Sequence, residues 1–495
     1  MIVMKFGGSS VESGEALRRL VPIVKSQLNK KPVVVVSAMG KTTNRLLEMA
    51  DQAERGHSYL AWKQLKELQE YHFHELEKVV DGGCAEWLEA SLKRHFRDLH
   101  TTVLDLCDDG RELTPALKDE ILSFGERISS EIVTAALHSS GVPSMHLDAR
   151  QFVVTDGKHQ NATPLCWETY AKLRRVVPQL GADRVIVMGG FIGSTEAGVT
   201  TTMGRGGSDL TASLVGAGIS AEEIQLWKDV DGILTCDPSI LPGGYRLNSV
   251  SYDEATAMAQ SGAKVLHPGA VAPAVRQRIP LLIRDTHRPN SEGTKIVPAA
   301  VACSNPVKSI SCKTNLTVLE IRTRDVSEAE ELTQHLQDSC ERLGTAAEFV
   351  AHTGDIVYLA LKSSARFEQL GPKIGFPVEA HIRPDSAIVT LVGQNIANAP
   401  GLIERALSSL KSPSVIAVAD PRSPLIVSLI VGQAELKKSV ELLHWEFFRQ
   451  VDTSFFSESR PLPATADPAA KEVLAGQGAS SRGQASPRFV LARQH

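Results

Sequence analysis

Four short stretches hold the side chains that could do chemistry. The first, Lys5-Phe6-Gly7-Gly8-Ser9-Ser10, follows a short apolar run and precedes a helix-like segment. A lysine and bare backbone N–H groups where a strand gives way to a helix are the parts of a phosphate cradle. Glycines there let the backbone approach an anion that a Cβ would hold away. The second stretch is Ser37-Ala-Met-Gly-Lys-Thr-Thr43, again behind a strand-like run. Its Gly40-Lys41-Thr42 looks like the close of a Walker A loop, but the glycine required five residues earlier is Val35, and that reading fails. In the third, Gly204-Arg205-Gly206-Gly207-Ser208-Asp209, glycines again open a helix. Arg205 can grip a carboxylate or phosphate bidentately, and Asp209 in the first turn can orient a lysine or an ammonium group. The fourth runs from Trp227-Lys228-Asp229 through Leu234 to Asp237-Pro238, and is followed by Gly262-Ala-Lys264-Val265-Leu-His-Pro268. Taken alone, it suits a solvated acidic loop and a nucleotide site equally. Gly189-Gly-Phe-Ile-Gly193 is a weak signal, short of a full G-x-G-x-x-G.

The elements that must position these residues alternate. Pro32-Val-Val-Val-Val-Ser37 is a continuous apolar run, as expected of a strand buried on both faces of a parallel sheet. Further strands are expected over 2–4, 144–147, 185–188, 224–227 and 281–284, and long amphipathic helices over 60–80 and 85–106. This is an α/β sandwich pattern, in which ligands bind beyond the carboxyl ends of the strands. Near residue 300 the texture changes at Ser304-Asn305-Pro306, which reads as a linker. Two coarsely similar β-α-β units follow. The first has a strand over 317–322, a helix over 327–343 and a strand over 356–361. The second has a strand over 387–392, a helix over 401–410, strands near 415–418 and 425–431, and a helix over 435–448. The tail from Pro461 is rich in Ala, Pro, Ser, Gly and Gln, and is expected to be disordered.

Bulk properties narrow the classes. At 495 residues the chain exceeds one core, so roughly two to four domains are expected. A net charge of −4 without Lys/Arg blocks argues against a nucleic-acid binder. No apolar run reaches the roughly 18 residues needed to cross a bilayer, so no membrane association is expected. With Lys5 so near the start, no room is expected for a leader peptide. The seven cysteines are scattered without a C-x-x-C pair, which points to reduced thiols in a cytoplasmic enzyme. His72 and His74 lack the spacing of a helical metal site and suit a packed helical face. No metal site built by protein ligands alone is visible.

Lys5-Phe-Gly-Gly-Ser-Ser-Val11, Ser123-Phe-Gly-Glu126, Gly204-Arg-Gly-Gly-Ser-Asp209, Val230-Asp-Gly-Ile233 with Asp237-Pro238, and Gly262-Ala-Lys-Val-Leu-His-Pro268 occur in order over residues 1–300. Together they resemble the aspartate kinase family, within the amino-acid kinases. The resemblance implies an αβα kinase sandwich with a mainly parallel sheet over 1–300. Two ferredoxin-like ACT domains over 308–385 and 386–456 would follow, then a disordered tail over 457–495. It implies ATP-dependent phosphorylation of the side-chain carboxylate of L-aspartate, with Mg²⁺, at the head of lysine, threonine and methionine synthesis. No second enzyme follows, as in the monofunctional form.

The resemblance also assigns roles. Lys5, Asp209 and Lys264 would be catalytic. Lys5, Phe6, Gly7, Gly8, Lys228, Asp229, Leu234, Lys264 and Val265 would meet ATP, with the Gly7 and Gly8 amides on its phosphates. Ser37, Thr43, Glu126, Arg205, Gly206, Gly207, Ser208 and Asp209 would meet aspartate, Arg205 its α-carboxylate and Glu126 its ammonium. Leu234 and Ser239 stand where many relatives carry Tyr and Arg. The ACT pair implies a homodimer or larger homo-oligomer and a lysine or threonine effector. Its first effector loop, Arg324-Asp-Val-Ser-Glu-Ala-Glu-Glu331, and His352-Thr-Gly-Asp-Ile356 lack the glycine and apolar residues of lysine-sensitive relatives, whereas Asn395-Ile-Ala-Asn-Ala-Pro-Gly401 is more familiar. Lysine inhibition is therefore expected to be altered, weak or absent. The rival classes are another amino-acid kinase and a non-catalytic ACT sensor.

Overall fold

A computed structural model describes residues 1–80, 83–108, 112–299, 301–342, 347–362, 379–410, 415–419, 423–459 and 489–490. They form two compact units. One comprises Met1–Ile233, Asn248–Ala255 and Lys264–Val301; the other comprises Leu234–Leu247, Thr256–Ala263 and Ala302–His495.

The strands of the first unit begin with β1 (Ile2–Phe6), β2 (Pro32–Val36), β3 (Ser144–Leu147) and β4 (Val185–Gly189). A short hairpin, β5 (Ile192–Ser194) and β6 (Thr200–Thr202), and then β7 (Ile224–Lys228) follow. Past β8 (Tyr245–Leu247), which belongs to the second unit, come β9 (Ser249–Ser251), β10 (Leu281–Asp285) and β11 (Thr294–Val297). The main sheet runs β3-β4-β2-β1-β7-β10-β11-β9, parallel except between β10 and β11. Every residue of β1, β2 and β4 is buried, which is why β2 and β4 read as unbroken apolar runs rather than alternating ones, and β1 does so up to Lys5. The chain leaves β1 for β2 on one side, while β7 lies on the other, with Phe6 opposite Trp227. A crevice beyond the carboxyl end of β1 is the expected result of that reversal.

The helices are α1 (Gly14–Lys25), α2 (Thr42–Glu54), α3 (Ser58–Glu77), α4 (Gly83–Asp108), α5 (Pro115–Ser139), α6 (Cys166–Leu180), α7 (Gly207–Ile219), α8 (Tyr252–Gln260) and α9 (Pro268–Arg276). Helix α5 starts on Thr114, whose hydroxyl accepts the Leu117 N–H at 3.2 Å, with Pro115 in the first turn. From Ile121 to Leu137 it is almost wholly buried, so it shows little amphipathic period. His72 on α3 is a packed imidazole: it is fully buried, with Nδ1 2.7 Å from the Leu68 carbonyl. Among the described residues no helix is long and apolar enough to cross a membrane.

The main sheet of the second unit is antiparallel. Its strands are β12 (Ser309–Arg322), β13 (Phe349–Thr353), β14 (Ile356–Leu361), β15 (Glu379–Val392), β16 (Val415–Ala419) and β17 (Ile426–Gly432), in the order β13-β14-β12-β15-β17-β16. Helices α10 (Val326–Arg342), α11 (Leu402–Ser409) and α12 (Leu436–Phe448) connect them. β12 and β15 start well before the expected 317 and 387 and pair with each other across both α/β units. The register shifts twice between Lys313 and Val318, beside left-handed Asn315 and opposite left-handed Asp385. These turn-like residues sit at irregularities inside continuous strands, so they mimic strand starts in the sequence. Asn305, expected in a linker, is instead a fixed part of this unit. Its amide donates to the carbonyls of Phe447 and Gln450, and its oxygen accepts the Asp452 N–H. A last strand, β18 (Phe456–Glu458), pairs with β8, so ordered chain continues past residue 456. Phe489 and Val490 pair with Ala380 and Glu379; the rest of the tail beyond residue 459 lies outside the described residues.

Candidate active site

The connection after β1 and the connection after β2 are laced together. Ser37 N–H donates to the Phe6 carbonyl at 3.2 Å and Gly40 N–H to the Gly8 carbonyl at 3.1 Å. A Cβ on Gly8 would lie 3.1 Å from the Gly40 oxygen and 3.2 Å from the Ala38 oxygen, so a side chain there would press the two connections apart. From α5, the Ser129 hydroxyl donates to the Ser37 carbonyl at 2.7 Å. Three residues earlier on the same helix, Glu126 accepts the Ala38 N–H at 3.1 Å through Oε1. The other oxygen, Oε2, is buried without a hydrogen-bond partner.

Helix α7 brings the third stretch to the same place. Gly206, left-handed at φ 76°, is its N-cap, and Ser208 and Asp209 lie in the first turn, where free N–H groups and the helix dipole favour anions. Asp209 is pinned between two strand ends. Its Oδ1 is 2.8 Å from Lys5 Nζ, and its Oδ2 accepts from Lys228 Nζ at 2.9 Å. Lys228 also donates to the Val265 carbonyl at 2.6 Å. All three charged side chains are mostly buried. Burial alone would raise the Asp209 carboxyl, but the Lys5 and Lys228 ammonium groups outweigh it and hold Asp209 well below the usual carboxylate range. Burial pulls Lys5 below the usual lysine value, against the opposing pull of Asp209. Glu126 goes the other way. Burial pushes its carboxyl up to about 8, although the Ala38 N–H and the charge of Lys5 oppose the shift.

A cavity of about 330 Å³ joins these groups. Lys5, Gly8, Ser37, Thr43, Glu126, Gly206, Gly207, Ser208 and Asp209 line it, as do Ala38, Gly40, Phe191 and Gly204. Lys228 and Val265 connect to it through Asp209. Other expected residues are placed differently. The Phe6 ring lies in the core against Trp227, and the Gly7 N–H, expected on a phosphate, donates to the Trp227 carbonyl because it extends the β1–β7 ladder. Arg205 is exposed between lining residues Gly204 and Gly206, and Asp229 and Lys264 are exposed outside the lining. Leu234 belongs to the second unit, where its carbonyl accepts from Ser309. Phe191 was not singled out from the sequence. Its only signal is the Gly189-Gly190 pair before it, and it holds a left-handed φ of 64°, with its N–H on the Thr211 hydroxyl.

The arrangement presents cations and helix N–H groups at one end of a cavity and a buried carboxyl in its wall. It can hold an anion beside an ammonium group. Among the described residues no group of three or more His, Cys, Asp or Glu could cage a metal ion, and both Asp209 oxygens are taken by lysines.

Comparison with known proteins agrees with this chemistry. Residues 1–285 match the model of the amino acid kinase family. The chain is 31% identical over 470 residues to aspartokinase 1, chloroplastic, of Arabidopsis thaliana, covering 91% of this chain and 81% of that protein. It is 26% identical to lysine-sensitive aspartokinase 3 of Escherichia coli K12, covering 90% and 99%. Its fold is similar to E. coli aspartokinase III in complex with aspartate and ADP, with a TM-score of 0.77 at 24% identity, covering 90% of this chain and all of that one.

Proposed function

The chain belongs to the amino acid kinase family and, within it, to the aspartokinases, and from that premise we propose how its residues divide the reaction. An aspartate kinase transfers the γ-phosphoryl of ATP to the side-chain carboxylate of L-aspartate, and that is the activity of this chain. A carboxylate oxygen forms the new P–O bond while the bond to the bridging oxygen of ADP breaks. The nucleophile is already ionised at neutral pH, so the protein need only hold two anions together and neutralise the moving charge.

The pairing of Lys5 and Lys228 on Asp209 carries the assignment of roles. Two ammonium groups share one carboxylate, which leaves a net positive charge at the cavity, fixed before substrate arrives. Lys5 meets the transferring phosphoryl group, and Lys228 and the backbone at Val265 flank the nucleotide. Mg²⁺ bound with ATP would supply further neutralisation of the phosphate charge beside Lys5. Aspartate lies against Ser37, Thr43 and the α7 N-terminus, with its α-carboxylate on Arg205 and its ammonium on Glu126. A coupled ADP-release assay with aspartate, glutamate, acetylglutamate and carbamate tests the reading. Aspartate-dependent turnover alone is expected; preference for another acceptor would overturn it.

For the second unit we infer a pairing role and a weak or absent lysine response. The similar E. coli protein is named lysine-sensitive, but here the corresponding loop closes on itself. Asp325 accepts the Glu328 N–H at 2.9 Å and Glu328 accepts the Arg324 N–H at 2.7 Å, so the start of α10 is capped from both sides. An effector carboxylate would find these N–H groups already bonded. Lysine titrated into the activity assay should inhibit only weakly; strong inhibition at low lysine would contradict this.

A further inference from the structure

We propose that Glu126 accepts the ammonium group of the amino-acid substrate in exchange for its own proton, so that aspartate binds with release of a proton to solvent. This rests on the reading of Glu126 as the partner of the substrate amine. The reaction is a simple exchange. The neutral carboxylic acid becomes a carboxylate paired with the incoming ammonium, and the proton passes to the buffer.

The surroundings of Glu126 carry the argument. Its side chain lines the cavity from the middle of α5 and is 3% exposed. One oxygen accepts the Ala38 N–H, the residue's own backbone N–H also acts on the carboxyl, and the other oxygen is buried without a partner. An ionised carboxylate in such a place needs a cation or further donors. The elements packed around it supply no cation that is Glu126's own. The connection after β2 brings the uncharged Ser37, Ala38 and Thr43, and the end of β4 brings Gly189, where a Cβ would be 3.0 Å from the Glu126 carbonyl oxygen. On α5 itself, Arg127 turns away to Glu120 at 3.0 Å and lies over the Phe124 ring. From β1, Lys5 does act on Glu126, but its ammonium is committed to Asp209 of α7 at 2.8 Å. Burial therefore keeps the carboxyl protonated up to about pH 8. A substrate ammonium is the missing cation, and once it arrives the ionised form is favoured.

Two consequences follow for the reaction. Below about pH 8, only the ionised fraction of Glu126 is ready for the ammonium. The KM for aspartate should therefore rise by about tenfold for each pH unit lowered, with kcat little changed. An amine neutralised by acylation cannot drive the exchange, so Glu126 is a specificity-determining group for a free α-amino substrate.

The test is calorimetric titration of aspartate into the full-length protein at pH 7, in phosphate and in Tris, whose ionisation enthalpies differ. The wild type should release about one proton, and Glu126→Gln, which keeps an acceptor for the Ala38 N–H, should release none. Equal heats in the two buffers for the wild type, or undiminished release in Glu126→Gln, would overturn the proposal. Infrared spectra keep the test open if the variant binds too weakly. The free wild type should show a protonated-carboxyl band that is absent from Glu126→Gln and is lost on adding ¹³C-labelled aspartate. A band that survives saturation, or its absence from the free enzyme, would also overturn it. Binding and turnover of aspartate without proton release would remove this inference alone. Failure to bind or phosphorylate aspartate at all would remove the reading on which it rests.

Discussion

Asp209 holds two lysines from neighbouring strand ends, one on each oxygen. A single carboxylate thereby keeps two ammonium groups apart and aimed, at the start of a helix whose dipole adds to their field. The role proposed for Arg205 is different. This side chain is exposed at the cavity edge, where it can close over a substrate carboxylate. Arg205→Ala should raise the KM for aspartate by roughly 10- to 100-fold, the worth of a charge-assisted hydrogen bond, and leave the ATP dependence unchanged in steady-state kinetics. A change confined to ATP would mean that Arg205 serves the nucleotide. At this scale much was legible in the chain. Lys5, Arg205 and Asp209 each sit in a local pattern of glycines and charges that carries its own chemistry, whereas Glu126 was reached only through the family resemblance. Phe191 was not legible, because a left-handed φ on a bulky residue is imposed by its surroundings and is not written in its type. Nor was the occupation of the Gly7 N–H, which depends on how far the β1–β7 ladder runs.

At the scale of elements, the cavity depends on two connections that touch backbone to backbone between Gly8 and Gly40. Gly8→Ala would place a methyl group 3.1–3.2 Å from two carbonyl oxygens and push the Lys5 loop off the Ser37 loop. The variant should stay folded and lose roughly 100-fold in kcat/KM, since small misplacements of positioned groups can cost that much. Activity within about twofold of wild type would show that the loops need no such contact. The strands at the centre of the sheet were readable because burial on both faces leaves an unbroken apolar run, as in Pro32–Val36. The short β9 and β11 were not, since three or four residues carry too little pattern. β12 and β15 were read short because Asn315 and Asp385 look like turns yet lie within paired strands.

For the whole molecule, a buried acid that stays protonated links stability to pH. The folded carboxyl of Glu126 sits at about 8, against an ordinary value of 4.5. The folded state thus holds a proton that the unfolded chain has lost between those values. Stability from this group is complete below about pH 4.5 and is lost as pH rises through 8. Glu126→Gln should remove that dependence. Relative to the wild type, the variant should gain about 3 kcal/mol of unfolding free energy between pH 5 and pH 8, as read by denaturant titration. A pH-independent difference between the two proteins would place Glu126 in a more polar setting. The reaction as a whole depends on Lys5 acting on a phosphoryl group that moves to a carboxylate, and trapping the product tests this most directly. Hydroxylamine added to the purified protein with MgATP and aspartate should yield aspartyl hydroxamate. Folded Lys5→Ala should form it at least 100-fold more slowly. Hydroxamate formed at a near-normal rate by Lys5→Ala, or ATP turnover that gives none from aspartate, would contradict the account.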